Sequence, residues 1–166
     1  MRKHLLVFFS AGLLGLAAQA ATPGAKLKDD VRAAAGQDNA AGANAMVQYL
    51  MQAAQMAQTQ ANNDNALREW EEIMNDCQDA IGKLQSPEAH KAFVAMLNRL
   101  PPPAAAVLLR GLLPHAPDPE AAAIAAKLLA SAVNLYLQVA CIDLLGRCRA
   151  VDGVDLELRG GECFAL

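Results

Sequence analysis

The chain has 166 residues, a formal net charge of −3 and four cysteines, a length that suits a single core. Apolar residues make up 54% of it but aromatics only 4%, and 36 alanines supply much of the apolar fraction. Such a composition excludes an all-β sandwich or barrel and points to helices. The absence of a basic excess excludes nucleic acid as a partner.

The first residues read as an address. Arg2, Lys3 and His4 form a basic start, Leu5 to Ala18 is apolar, and Ala18-Gln19-Ala20 is an A-x-A site followed by Ala21. This is the layout of a cleaved secretory signal peptide over residues 1–20. The apolar run is short for a spanning helix, and no cysteine follows it to take a lipid. An uncleaved membrane anchor is the alternative. Cleavage leaves 12 basic residues against 17 acidic ones, a net charge of −5. The expected location is periplasmic or secreted, with no membrane span in the mature chain.

Residues 21–44 are rich in Ala, Gly, Asn, Asp and Lys, with Leu27 and Val31 isolated. They read as a flexible arm, disordered or loosely helical. A helical domain over 45–149 comes next. Met46, Val47, Leu50, Met51, Ala54 and Ala57 fall at helical spacing, with Gln48, Gln52, Gln55 and Gln58 between them. That helix should end at Asn62-Asn63. Its methionines read as core, with an adaptable binding surface as the alternative.

The next helix has the clearest period. Asp64 or Asn65 caps it, and Leu67, Trp70, Ile73, Met74, Cys77, Ile81 and Leu84 build one apolar stripe. Its opposite face carries Glu69, Glu72, Asp76 and Asp79 in a single row. Like charges so spaced repel. The row is either a solvated face or a docking strip for a basic protein partner. It lacks the loop that gathers oxygens around calcium.

Ser86-Pro87-Glu88 starts another helix, with Ser as cap, Pro at the first helical position and Glu in the first turn. Phe93, Met96, Leu97 and Leu100 mark its apolar side, and Pro101-Pro102-Pro103 stops it. Ala104 to Leu113 is a short apolar helix ended by Pro114. Asp118-Pro119-Glu120 repeats the cap device, and Ala121 to Cys148 then carries only Lys127, Asp143 and Arg147 as charges. It reads as buried core helix, broken at Ser131 or Asn134.

Pro87 and Pro119 are 32 residues apart, and the same offset pairs Val107 with Val139, Leu112 with Leu144 and Leu113 with Leu145. A helix, a link and a second helix at this period are the mark of stacked hairpins. Through Val107, Leu108, Leu112, Leu113, Asp118-Pro119, Ala125 and Leu128, the stretch Ala104 to Leu129 resembles a HEAT-like repeat. Ala121 and Ala122 stand where that family usually places Val-Arg. The resemblance covers two units within residues 86–149, and implies a right-handed solenoid used as a protein-binding scaffold. The fold class expected is all-α, a small helical bundle or a short stack of helical hairpins.

Beyond Cys148, Asp152-Gly153 is a turn signal. Val154, Leu156 and Leu158 alternate with Asp155, Glu157 and Arg159, and Gly160-Gly161 precedes Cys163. Residues 150–166 read as an extended tail tied to the helices. Four cysteines in an exported chain imply two disulfides. On one unbroken helix, Cys141 and Cys148 lie about 10.5 Å apart, beyond disulfide reach. Two pairings remain: Cys148–Cys163 with Cys77–Cys141, or Cys141–Cys163 with Cys77–Cys148. The spacings contain no C-x₂₋₄-C zinc pair.

His90 and His115 belong to no metal-ligand spacing, and the chain has no nucleophile elbow, P-loop or C-x-x-C. No metal, cofactor or catalytic residue is expected. The function expected is protein–protein interaction without catalysis, as an inhibitor or immunity-type protein or an envelope assembly factor. The alternatives are a small hydrolase with a carboxylate pair, which leaves no local signature, and an apolar-ligand carrier.

Overall fold

A computed structural model describes residues 23–148 of the protein. The expected signal peptide, the alternating segment 154–158 and Cys163 lie outside the described residues. Within them the fold is all-α, with seven α-helices: α1 (Pro23–Ala35), α2 (Ala40–Thr59), α3 (Asp64–Lys83), α4 (Pro87–Met96), α5 (Pro102–Leu112), α6 (Pro119–Ser131) and α7 (Leu135–Arg147).

The helix starts follow from local chemistry. Asn39, Asn63, Ser86, Asp118 and Asn134 each cap the helix after them by accepting a backbone N–H with the side chain. Asn63 takes the role the sequence suggests for Asp64 or Asn65, because its carboxamide reaches the Ala66 N–H at 3.3 Å. Pro87, Pro102 and Pro119 occupy first-turn positions that lack an intrahelical N–H partner in any case. Pro117 follows a cis peptide bond.

Of the residues expected to form a disordered or loosely helical arm, 23–35 lie in α1 and 40–44 in the start of α2. Gly24, Leu27, Val31 and Ala34 recur at steps of three and four, and all four are buried. Small residues at two of these positions conceal the period. They also let α1 lie close on α2 and α3.

The helices pair and stack. One layer is α3, α5 and α7, with α5 packed against both neighbours; on the other side α2 packs against α4, and α6 packs against α7. The 32-residue offset survives as the starts of α4 and α6. One cluster runs through all seven helices, with Met46, Leu50, Ile73, Ile81, Phe93, Leu108, Leu109 and Leu144 fully buried. Each such side chain contributes about 1.5–3 kcal/mol by leaving water. Trp70 anchors α3 in the core, and its indole N–H donates to Gln60 Oε1 at 2.8 Å, binding α3 to the end of α2.

Helices α3 and α5 cross closely. A Cβ at Gly111 would sit 2.7 Å from Ile81 Cγ2 and 3.1 Å from the Gln78 carbonyl oxygen. A Cβ at Gly82, in α3, would meet nothing nearer than Pro114 Cγ at 3.4 Å. Gly111→Ala should therefore lower the unfolding free energy by about 1–3 kcal/mol through overpacking. Gly82→Ala should be neutral or raise it by up to about 1 kcal/mol through helix propensity. Urea titration of both variants measures the difference, and equal effects would contradict this crossing.

Candidate functional site

Three surfaces hold the residues of interest. The first is the junction where α4 and α6 begin and α7 ends. Asp118 caps α6 by accepting from the N–H groups of Glu120 and Ala121 through Oδ1, at 2.8 and 3.1 Å. Its Oδ2 lies 2.5 Å from His90 Nε2, in the first turn of α4. The rings of His90 and His115 stack at a tilt, with centroids 5.4 Å apart. His115 Nε2 lies 3.2 Å from the carbonyl oxygen of Ile81, which only accepts, so that nitrogen carries the proton. Asp38 Oδ1 accepts from the Ser86 N–H at 2.8 Å, joining the α1–α2 link to the same corner.

Burial alone would raise the Asp118 pKa. The Ala121 amide, the His90 contact and the Glu120 amide outweigh it and hold the carboxyl below its ordinary value. The Asp38 carboxyl is lowered chiefly by the Ser86 amide. Cys148 closes α7 with its sulfur against the backbone of Asp118: the Asp118 N–H donates to Sγ at 3.5 Å, and Sγ lies 3.7 Å from the Asp118 carbonyl oxygen. The thiol thus meets backbone rather than imidazole, and His90 is directed at Asp118. No three His, Cys, Asp or Glu side chains among the described residues are placed to hold a metal ion. The arrangement is a clasp fastening α4, α6 and α7.

The sequence assigns His90 and His115 no role, yet the fold sets them side by side. The 32-residue offset bears on His90 and Asp118, which lie at the equivalent starts of α4 and α6, and nothing in the sequence marks His115 as their neighbour.

The second surface is the acidic face of α3. Its row does not stand free, because α1 lies over its first half. Lys28 Nζ pairs with Glu72 Oε2 at 2.7 Å. The bond raises the Lys28 pKa and lowers that of Glu72. Glu69 is half-buried beside the start of α1, where a Cβ at Gly24 would collide with its carboxylate. A carboxylate there also suits the helix dipole. Asp76 and Asp79 remain exposed. Of the four carboxylates of the expected docking strip, Glu72 thus pairs with α1 and Glu69 lies beside its start.

The third surface is the outer side of α7. Among the described residues, the exposed large hydrophobics are Val133, Leu135, Tyr136, Val139 and Ile142, all on this helix or the link before it. Leu135, Val139, Ile142 and Gly146 fall in one row opposite the buried Leu137, Ala140, Cys141 and Leu144. The expectation of buried core helix over 121–148 therefore holds for only one side of α7. A groove of about 300 Å³ runs beside it, lined by Pro117, Pro119, Ala122, Ala126, Leu145 and Cys148. A second groove, of about 580 Å³, opens at the other end of the α6–α7 pair along Leu100, Leu128, Val133 and Leu137.

The cysteines depart from the expected bonding. Cys77, Cys141 and Cys148 are free thiols. Neither Cys77–Cys141 nor Cys77–Cys148 is formed, because α5 packs between α3 and α7. The pairings of Cys163 lie outside the described residues. Helix α7 is unbroken between Cys141 and Cys148, as the exclusion of that pair requires. Burial, aided by the nearby Asp76 charge, pushes the Cys77 thiol up to about 12, and burial pushes Cys141 to about 11.

No protein-family model, curated protein or solved structure matches the chain.

Two measurements test this geometry. At pH 8, Cys77 and Cys141 should resist iodoacetamide in the native chain and react after unfolding without reductant; if they stay blocked when unfolded, they are bonded. Asp118→Ala removes both cap and His90 contact and should cost about 1–2 kcal/mol. Asp118→Asn keeps a capping oxygen and should cost less. Because the folded carboxyl is the stronger acid, its contribution is complete above the ordinary carboxylate range near pH 4 and is lost as pH falls through the lowered value. The stability gap between wild type and Asp118→Asn should close on that descent. A gap that widens would contradict the assignment.

Proposed function

We propose that the protein is an exported helical binding module that engages another protein through its surface and catalyses no reaction. The observation that carries this reading is the gathering of the large exposed apolar side chains on one helix and its leading link, Val133 to Ile142. Scattered single hydrophobics are ordinary on a protein surface, whereas a contiguous set marks a contact face. The partner that suits it presents an apolar strand or helix.

The basic start, apolar run and A-x-A site of residues 1–20 support export to the periplasm or beyond. No helix among the described residues is long and apolar enough to cross a membrane. In an oxidising compartment, Cys148 is the thiol available to Cys163. It is half-buried at the end of α7, whereas Cys77 and Cys141 are fully enclosed.

The test is retention of envelope proteins on the immobilised chain, compared with a variant carrying Val139→Glu and Ile142→Glu. Both positions are exposed, so stability should change by no more than about 0.5 kcal/mol. A protein held in stoichiometric amount by the wild type should be lost from the variant. Equal retention by both chains, or none by either, would overturn the reading.

A further inference from the structure

A stack of helices has two ends, and the ends must differ from the middle. An interior helix buries two sides, whereas a terminal one must show water a polar outer side. The first end obeys this rule. Helix α1 closes it, and its outward residues include Lys26, Asp29, Arg32 and Ala33. The last end does not. Helix α7 is apolar on the outside as well as the inside, as an interior helix is.

The chain continues for 18 residues past Cys148. Extended, that length reaches about 60 Å, while α7 with its 13 residues is about 20 Å long. The departure point is favourable. Cys148 lines the groove between α6 and α7. Gly146 is exposed, with open space where a Cβ would be, so the chain has room to turn back. Asp152-Gly153 supplies the turn residues.

The segment after this turn matches the face. Val154, Leu156 and Leu158 recur every second residue, about 6.6 Å apart in an extended chain. Ile142, Val139 and Leu135 rise along α7 by about 4.5 and 6 Å. Asp155, Glu157 and Arg159 would then face water. A second copy of the protein suits the face less well. A stable dimer takes about 20–30 residues from each partner, and this face, with Val133 and Tyr136 beside the row, offers five large apolar side chains. A tethered segment needs less, since its effective concentration is on the order of millimolar.

We propose that Val154, Leu156 and Leu158 fold back across Ile142, Val139 and Leu135, so that the C-terminal segment caps the open end of the stack and competes with any partner for that face. The competition rests on the reading of the face as a contact surface. The capping does not.

The test places a photoreactive p-benzoylphenylalanine at position 142 of the intact chain, mixing unlabelled and ¹⁵N-labelled protein before irradiation. Trypsin yields Leu128–Arg147, which carries position 142, and Ala150–Arg159, which carries the three tail residues. The expected product joins these two peptides with matched isotopes. Leu156→Asp with Leu158→Asp should lower its yield roughly tenfold or more, with unchanged helical circular dichroism. Mixed isotopes would mean a second copy and overturn the proposal, as would the absence of the joined peptides. The double Asp variant should also retain more of any envelope partner than the wild type. A joined product with no retained partner would sink the binding reading and leave the cap standing. Retention that depends on Val139 and Ile142 without a joined product would do the reverse.

Discussion

Everything in this fold hangs on α5 being apolar on two sides. Ala104, Ala105, Ala106, Leu108, Leu109, Gly111 and Leu112 are buried within an 11-residue helix, which packs against α3 on one flank and α7 on the other. A helix so composed is insoluble on its own and forces its neighbours to it. Gly111 sets how near they come. With no Cβ in the way, Ile81 and the Gln78 carbonyl close over the α5 backbone, and the layer α3–α5–α7 becomes continuous. That continuity keeps Cys77 and Cys141 apart. The layer that joins their helices in one core also separates their sulfurs.

Polar groups in this stack work at the helix ends. Among the described residues no polar or charged side chain is fully buried, and no buried side-chain nitrogen or oxygen lacks a partner. Asp118 is the clearest case. One carboxylate oxygen replaces the missing acceptors of the first turn of α6, and the other meets His90 on α4. A single side chain thereby satisfies a local need and fixes two consecutive hairpins. Cys148 adds a third helix through the Asp118 backbone. The junction resembles a reactive constellation by residue type, but its geometry spends each group on a neighbouring helix end.

Strong local signals were legible in the sequence. The stripe from Leu67 to Leu84, the Ser86-Pro87 and Asp118-Pro119 starts, and the break before α7 at Asn134 all follow from period and capping chemistry. Alanine and glycine concealed the rest. Helix α1 has a core side, but Gly24 and Ala34 carry too little apolar surface to announce it, and their smallness is what permits its close docking. The acidic row on α3 was legible as a row. Its use was not, because Lys28 reaches it from 44 residues away. His90, Asp118 and Cys148 likewise meet only once the stack is formed, and the helical repeat was the sole hint that they would.

The two ends of the stack show how composition assigns roles to helices of equal length. Helices α1 and α7 each have 13 residues, and each lies at one limit of the described fold. Helix α1 places charge on its outer side and answers the α3 carboxylates through Lys28 on its inner one. Helix α7 has Asp143 and Arg147 as its charged residues and turns Leu135, Val139 and Ile142 outward. A sequence that only needed to end the stack could have put Lys or Glu at those three positions, which are 56%, 38% and 46% exposed. Keeping them apolar leaves hydrophobic surface exposed to water. The proposed fold-back would cover that surface with the nearest residues of fitting period, those that come after Cys148.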